Sequence, residues 1–218
     1  MTIALLLDAL HSLRFCLRVL PFGDALRLPV LVSRSVRLGR LHRGAVVLSA
    51  PLRRGMVRIG YQGFSAIPDG KGLVDIAPGG RIVFDGAARL GQGVRLWVDE
   101  GAVLRLGDGF YCNKGCVIRA ADDVTIGAAA LWGWDVELNT ADGHVIVADG
   151  REKASHAPIR LGRHVWVASH VVVGKGASVA DDSVVAQRST VTRAFSEPGV
   201  LLGGTPAEII KHDITWRE

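Results

Sequence analysis

The sequence predicts a mainly β fold, a parallel β-helix with three faces, because a six-residue repeat runs through its C-terminal half. From residue 161 onward an aliphatic residue recurs at every sixth position: Leu161, Val167, Val173, Val179, Val185 and Val191. The residue after each is small: Gly162, Ala168, Gly174, Ala180, Ala186 and Thr192. A second small or β-branched residue follows four positions after the first five: Val165, Val171, Ala177, Ser183 and Ser189. A period of six does not fit a helix, whereas short strands joined at tight corners produce it.

The composition agrees with such a core. Hydrophobic residues make up 49% of the 218 residues but aromatic residues only 6%, so small aliphatic side chains must fill the interior. This much apolar material excludes disorder, and the 27 glycines follow no period of three, which excludes collagen. The length fits one large domain.

The net charge of +5 favours anionic partners. The arginines are scattered, without a basic run or interleaved aromatic residues, and no DNA- or RNA-binding motif is visible. We therefore expect no nucleic acid, and favour an anionic small molecule or an anionic membrane surface. The three cysteines are too few for a disulfide scaffold and favour a reducing compartment, so the expected location is cytoplasmic.

The first predicted element is an amphipathic helix over residues 3–20 that ends before Pro21. Its polar residues fall within an arc of about 160°: Asp8, His11, Ser12, Arg14 and Arg18. These residues exclude a membrane-spanning helix, and the segment lacks the features of a signal peptide. Two interpretations stay open: packing against the domain or a sister subunit, and peripheral contact of residues 1–20 with the inner face of the membrane.

The repeat continues towards the N-terminus with breaks, as three sets of inward positions: Phe84, Leu90 and Leu96; Leu106, Cys112 and Ile118; Ile126, Trp132 and Leu138. Extra residues such as 119–124 must bulge at corners, and around Ile59 and Ile76 the pattern is loose. Cys112 and Cys116 take the two inward places of one turn, which predicts buried, unreactive thiols.

At the C-terminus, the sequence from Gly203 to Glu208 predicts a glycine turn followed by a helix. Thr205 suits the N-cap, Pro206 the first helical position, and Glu208 the closing position of a capping box. The helix over 206–212 would cover the open end of the solenoid. The predicted organisation is thus 1–30 for the N-terminal helix and lead-in, 31–205 for the β-helix with an extended loop over 139–158, and 206–218 for the C-terminal helix and tail.

The repeat resembles that of the hexapeptide-repeat acyltransferases, most closely from Phe110 to Lys211. The resemblance implies a left-handed parallel β-helix, a homotrimer, and active sites in the clefts between neighbouring helices. The Gly133-Trp134-Asp135 step and the loop after it resemble the galactoside, maltose and polysaccharide O-acetyltransferase group, which includes enzymes of capsule and lipopolysaccharide assembly. That resemblance implies acetyl-CoA as co-substrate, a sugar or polysaccharide-precursor acceptor, and no metal.

The loop contains the residue that the resemblance identifies as the general base. The run of Thr140, Ala141, Asp142, Gly143 and His144 resembles the T-x-x-H or T-D-x-H pattern of that group. The chemistry needs such a residue, because a sugar hydroxyl is a weak nucleophile and an imidazole, with a pKa of about 6.5, can take its proton. Asp135 and Asp142 are both candidates to orient the His144 ring, and each is also explained as a turn or solvated residue.

The segment Phe110–Asn113 also resembles the related sugar acetyltransferases, which have an asparagine at the position of Asn113. In those enzymes the asparagine lies opposite the catalytic histidine of the neighbouring subunit and contacts the acceptor or the oxyanion. The alternative explanation for Asn113 is a corner residue with an unusual backbone angle.

For the donor, the segment 163–170 resembles the family's coenzyme A tunnel. The residues assigned to acetyl-CoA by the resemblance are Trp166, Ala168, Ser169, Ala186, Gln187, Thr192, Arg193 and Lys211. Glu208 departs from the family pattern, where an arginine is frequent, and leaves more of the phosphate binding to Arg193 and Lys211.

The sequence thus predicts an O-acetyltransferase, and an N-acyltransferase acting on an amino sugar or another amine stays open. A zinc enzyme like the γ-type carbonic anhydrase requires three converging histidines. His164 and His170 are six residues apart and cannot share a metal within one subunit. A non-catalytic β-helix would have no use for the loop histidine, Asn113 and the segment around Trp166.

Overall fold

The computed structural model describes residues 3–217. Met1, Thr2 and Glu218, which belong to the predicted N-terminal contact segment and C-terminal tail, lie outside the described residues. The chain begins with helix α1 (Ile3–Val19) and a short helix α2 (Phe22–Ala25), so the predicted end before Pro21 is confirmed. No helix within the described residues is long and apolar enough to cross a membrane.

Helix α1 packs on the first turn of the solenoid through a face that the sequence did not predict. Phe15, Cys16 and Val19 are buried, as expected of apolar residues. Ser12, from the predicted polar side, is also buried and exchanges hydrogen bonds with the backbone of Val32. Leu6 and Leu10 of the predicted apolar face are exposed instead, as is Leu7 on the polar side. The helix therefore packs with its C-terminal half and leaves apolar surface free near its start.

The rest of the chain is a parallel β-helix, which confirms the predicted fold class. The first face consists of β1 (Val30–Val32), β4 (Val57–Ile59), β7 (Ala88–Leu90), β10 (Phe110–Cys112), β13 (Leu131–Trp132), β18 (Trp166–Val167), β21 (Val184–Val185) and β24 (Leu201–Gly204). The second face consists of β2 (Val36–Leu38), β5 (Gly72–Ile76), β8 (Arg95–Val98), β11 (Val117–Ala120), β14 (Glu137–Asn139), β19 (Val172–Val173) and β22 (Thr190–Val191). The third face consists of β3 (Val46–Leu48), β6 (Arg81–Phe84), β9 (Val103–Leu106), β12 (Val124–Ile126), β17 (Ile159–Leu161), β20 (Ser178–Val179) and β23 (Ala194–Phe195).

Three consecutive strands, one from each face, form a coil, and seven coils stack along the axis. The predicted inward positions are buried in every coil that the repeat covers; Leu161, Val167 and Val173, for example, are at most 2% exposed. The two coils before residue 88, where the pattern is loose, contribute a strand to each of the three faces like the others. We call the corner between faces one and two the first corner, and the corner between faces two and three the second corner.

The residue after each inward position must be small because the backbone of the next coil lies directly against it. A Cβ on Gly107 would lie 2.4 Å from the backbone nitrogen of Ala128, and one on Gly127 would lie 2.5 Å from that of Arg163. Strands of neighbouring coils are about 4.8 Å apart, so a side chain directed along the axis at the corner meets backbone. The repeat's small position is thus a packing constraint.

Two insertions leave the coils, one at each of these corners. At the first corner, residues 60–71 join β4 to β5. At the second corner, residues 140–158 join β14 to β17 and contain an antiparallel hairpin, β15 (Ile146–Ala148) and β16 (Arg151–Lys153). The predicted extended loop is therefore an ordered arm, which we call the hairpin arm.

The predicted C-terminal helix is wrong. Residues Ala207–Lys211 form strand β25, which pairs antiparallel with β24 across a turn at Thr205 and Pro206. The exposed edge of the first face offers unpaired backbone groups to this segment, and its Ile209 and Ile210 favour strand over helix. Glu208 closes no capping box, because its carboxylate pairs with Arg193. A hairpin, not a helix, covers this end of the first face.

The three cysteines are buried free thiols, as predicted for Cys112 and Cys116. Burial raises the pKa of Cys16 to about 11. The pKa of Cys112 lies well above its ordinary value because of its hydrogen bond with Cys116 and its burial. Thiols held protonated in this way are poor nucleophiles.

Candidate active site

The fold sorts the predicted site residues into two groups on two corners of the prism. The first corner carries Asn113, Asp135, Ala168, Ser169, Ala186 and Gln187 on four successive coils. The second corner carries Asp142 and His144 on the hairpin arm, with Thr192 and Arg193 after β22. The second face separates the corners by about 15 Å, the length of five strand residues. One chain alone therefore keeps Asn113 and the loop histidine apart.

Asn113 anchors the insertion at the first corner. Its Oδ1 accepts the backbone N–H groups of Phe64 and Lys114, both at 2.8 Å. Its backbone is not among the left-handed conformations of the chain, so the alternative of a corner residue with an unusual angle is wrong. Because Oδ1 accepts two hydrogen bonds from the protein itself, the N–H groups of the Asn113 amide are the part of this side chain that can bind another molecule.

The insertion over residues 60–71 lies along the first corner beside Asn113. Lys114 is buried, and its ammonium group donates to the Ile67 carbonyl at 2.8 Å and to Asp69 at 2.6 Å. This contact lowers the pKa of the Asp69 carboxyl group. Phe64, half exposed, stacks on Trp134 with ring centroids 5.7 Å apart. Phe64 and Lys114 are not among the predicted site residues, because nothing in the sequence shows how this insertion folds back.

Asp135 is a corner residue with a positive φ of 52°. Its carboxylate lies 3.9 Å from Nδ1 of His170, on the next coil of the same corner. Nε2 of His170 accepts the indole N–H of Trp134 at 3.2 Å, so the ring proton sits on Nδ1 and faces Asp135. Asp135 is thus placed beside His170, and the structure does not bring it to His144.

The hairpin arm holds His144 in an exposed position. Its base is fixed by Thr140, which is fully buried and whose Oγ1 accepts the N–H groups of Ala121 and Asp122. Asp142 pairs with Lys175 at 2.5 Å. His144 and the three residues after it are exposed, and no hydrogen bond within residues 3–217 ties the His144 ring to either predicted acid.

A second histidine of the arm was missed. His156 lies opposite Ala141 at the arm's base, and its Nδ1 contacts Asp122 at 2.8 Å. This hydrogen bond lowers the pKa of the Asp122 carboxyl group. A carboxylate that fixes one imidazole nitrogen leaves the other available as a base, so His156 is a rival to His144. The sequence did contain a signal for this contact. The repeat register of coils four and five places residue 122 beside the first and last residues of the hairpin arm, where His156 lies.

The predicted donor residues differ in how accessible they are. Trp166 is 38% exposed on the first face, beside Trp216 at 5.9 Å between ring centroids. Ser169 is buried, and its Oγ accepts the backbone N–H of Trp134. Ala168 and Ala186 are half-buried, whereas Gln187, Thr192 and Lys211 are exposed.

Arg193 is held by the residue that departs from the family pattern. Its guanidinium pairs with Glu208 across the end of the solenoid and lies 4.9 Å above the ring of Phe195. The Glu208 carboxylate is therefore paired with the guanidinium group that the resemblance assigns to the donor's phosphates. Lys211 lies at the far end of β25, opposite Leu201.

His164 and His170 lie at the two ends of β18, on different corners. Nδ1 of His164 contacts Asp182 at 2.9 Å, and its ring stacks on Trp216 at 3.9 Å. The two histidines are therefore committed to separate contacts, as their spacing predicted.

The chain matches a curated enzyme over part of its length. It is 34% identical to galactoside O-acetyltransferase of Escherichia coli (strain K12) over 90 residues, 40% of this chain and 43% of that protein. The chain is similar to a sugar O-acetyltransferase. The predicted resemblance is confirmed over this segment, which spans less than half the length of that relative. No protein-family model matches the chain.

Solved structures that are similar at lower sequence identity include two acetyltransferases. A maltose O-acetyltransferase from Clostridium difficile 630 is 23% identical, with 65% of this chain and 67% of that chain covered and a TM-score of 0.44. A hexapeptide-repeat-containing acetyltransferase from Vibrio cholerae O1 biovar eltor, complexed with acetyl coenzyme A, is 26% identical, with 71% of each chain covered and a TM-score of 0.43.

Proposed function

We propose that this protein is an acetyltransferase that moves acetyl from acetyl-CoA to a hydroxyl group of a sugar or surface-polysaccharide precursor. The observation that carries the proposal is the hairpin arm, which lifts an exposed His144 away from the coils on the corner that also bears Thr192 and Arg193. The partial similarity to galactoside O-acetyltransferase supports the same reaction.

In this reaction His144 acts as the general base and Asn113 as the hydrogen-bond donor to the oxyanion. Bound acetyl-CoA supplies the thioester whose carbonyl carbon the acceptor oxygen attacks, with release of the CoA thiol. His144 takes the proton of the acceptor hydroxyl as this attack occurs. The amide N–H of Asn113 donates to the oxygen that gains negative charge, since its own Oδ1 is already bonded to Phe64 and Lys114.

The acceptor and donor have surfaces of suitable chemistry. Phe64 and Trp134 present an aromatic pair beside Asn113, on which an apolar sugar face can stack. The donor chain runs along the coils past Trp166, Ala168 and Ser169 towards Thr192, Arg193 and Lys211; Ala186 and Gln187 continue the same corner. Glu208 must release Arg193, or share it, when the donor's phosphates bind.

The active form is proposed to be a homotrimer. Asn113 and His144 lie on different corners of one chain, and a cyclic trimer brings the second corner of each subunit against the first corner of the next. The arm also exposes three apolar residues that a neighbour would cover: Val145, Ile146 and Val147 are between 49% and 62% exposed.

Complementation between inactive subunits tests the split site. Asn113→Ala and His144→Ala chains are each expected to lose most thiol release from acetyl-CoA with a sugar acceptor. Mixed by joint refolding, they should recover about a quarter of wild-type activity, because one site in four combines both intact residues in a cyclic trimer. No recovery in mixed trimers, or an active wild-type monomer in light scattering, contradicts the proposal. An amino-sugar acceptor in the same assay separates O- from N-transfer.

The location of the enzyme at the inner face of the membrane is also proposed. The exposed Leu10 lies one turn before Arg14 on the same side of α1, and the exposed Leu6 and Leu7 lie one turn further towards its start. Apolar side chains flanked by a cation suit an anionic bilayer surface. Since the other side of α1 is core, Leu6→Ser/Leu10→Ser is a better test than removal of residues 1–20. It should abolish sedimentation with phosphatidylglycerol vesicles and keep turnover of a soluble acceptor, and unchanged sedimentation contradicts it.

A further inference from the structure

A groove of about 620 Å³ lies between helix α1 and the second face of the first three coils, away from the candidate active site. Three stretches of chain line it: α1, the segment 34–38 and the strands that follow residue 71. They bring six basic side chains together: His11, Arg14, Arg34, Arg37, Lys71 and Arg95. No acidic residue is among those that line the groove in the described chain.

The positive charge of this groove is not neutralised by neighbouring acids. Asp75 is bound to Arg40, and Asp69 is bound to Lys114. The carboxylate of Asp8 accepts the backbone N–H of Arg34 and no side chain of the groove. None of the five arginines and lysines of the groove takes part in an ion pair among residues 3–217, whereas elsewhere on the coils Arg105 pairs with Asp85 and Arg163 with Asp182.

The register of the coils sets the spacing of the cations. Arg37 pairs with Leu73, and Leu73 pairs with Arg95, so the two arginines flank a leucine in one outward row. Their Cα atoms are thus about 10 Å apart, two inter-strand spacings. Two flexible guanidinium groups at that distance can both donate hydrogen bonds to one phosphate, or to two linked phosphates, that lies between them. His11 is fixed from the other side by a hydrogen bond to the Val36 carbonyl at 3.0 Å.

We propose that this groove binds the diphosphate group of a ligand. Like charges placed close together are destabilising on a sheet, so an unpaired set of this size is best explained by an anion that neutralises it. The five arginine and lysine side chains of the groove are more than one phosphate needs, which favours two linked phosphates. Guanidinium groups match the geometry of phosphate oxygens. A nucleotide-linked sugar and a polyprenyl-linked sugar both carry a diphosphate.

Binding measurements without acetyl-CoA test the groove independently of the proposed reaction. Calorimetric titration with inorganic pyrophosphate should show binding to the wild-type chain. The variant Arg37→Gln/Arg95→Gln should raise its Kd by about tenfold or more, because charge-assisted contacts are lost. The matched control Arg81→Gln/Arg160→Gln removes two exposed arginines from the third face and should leave the Kd unchanged. All four arginines are exposed, so both variants should fold.

Two further probes identify the source of the phosphate. The groove variant should lose affinity for UDP-glucose if the ligand is soluble, and for phosphatidylcholine vesicles that contain a polyprenyl diphosphate if the ligand is lipid-linked. Either loss supports the groove. Turnover of an uncharged sugar should be unchanged in this variant, so failure of the groove and failure of the proposed reaction are distinguishable. No binding of pyrophosphate to the wild type, or an equal loss in the control, overturns the proposal.

Discussion

The side-chain oxygen of Asn113 accepts the backbone N–H of Phe64 at 2.8 Å, across 49 residues of chain. The same oxygen accepts the N–H of Lys114, whose buried ammonium group holds the far end of the same insertion. Asn113 therefore has two separable properties, an oxygen that positions residues 60–71 and an amide N–H that is directed outward.

The variant Asn113→Asp separates these properties. Aspartate keeps the accepting oxygen but has no amide N–H, so turnover should fall about 10²- to 10³-fold, as when an oxyanion donor is removed. The insertion should stay in place, and protease sensitivity of residues 60–71 should not change. Asn113→Ala loses both properties and should be cut faster there. Full turnover in Asn113→Asp would rule out Asn113 as the oxyanion donor.

Two histidines of the hairpin arm compete for the role of base. His144→Ala should reduce turnover about 10²- to 10⁴-fold, the usual contribution of a general base, with little change in acetyl-CoA affinity. His156→Ala removes the contact with Asp122 at 2.8 Å and should reduce turnover only a few-fold. Initial rates at saturating substrates, with CoA affinity by calorimetry, compare the pair.

His164→Ala serves as an outside control, because its ring contacts Asp182 and Trp216 away from both corners of the proposed site. His170→Ala, which loses the contact with Trp134 on the first corner, should also be far milder than His144→Ala. If His144→Ala keeps more than about a third of wild-type turnover, far above the general-base range, the assignment is wrong. A large loss in His156→Ala alone would transfer the role to that residue.

A corner glycine should be intolerant of alanine. A Cβ on Gly107 would lie 2.4 Å from backbone of the next coil, which cannot move without opening the stack. Gly107→Ala should therefore lower the free energy of unfolding by at least about 1–3 kcal/mol, the usual cost of overpacking. Gly23→Ala meets no atom within 4 Å and should be neutral or slightly stabilising. Urea denaturation of both variants gives the comparison, and equal midpoints would contradict it.

The C-terminal pair of His212 and Glu197 should make stability depend on pH. The hydrogen bond to Glu197, 2.6 Å long, holds the pKa of His212 above its ordinary value. The contribution is therefore complete below the unfolded pKa of about 6.5 and is lost as pH rises through the higher folded pKa. The Tm difference between wild type and Glu197→Gln should be larger at pH 6 than at pH 9. A difference that does not change, or that grows with pH, would contradict this pairing.

Much of the solenoid was predictable because its period is local. Each inward residue is followed by a small one for a reason that repeats in every coil, so burial of Cys112, Trp132 and Leu161 follows from sequence spacing. The end of α1 before Pro21 likewise depends on one peptide bond. The C-terminal prediction failed because Thr205, Pro206 and Glu208 fit a helix start locally, while a free sheet edge offered backbone partners that no local pattern records.

The sequence by itself determined the parallel β-helix and which residues carry side chains of suitable chemistry, since periodicity and residue type are properties of the chain. Only the tertiary structure decided where those residues lie. It placed Asn113 and His144 on different corners, paired Asp142 with Lys175, put Asp135 beside His170, and gathered the basic groove from stretches up to 84 residues apart, between His11 and Arg95. The physical reason is that stacking fixes contacts through the number of residues in each coil, and the insertions over 60–71 and 140–158 change that number.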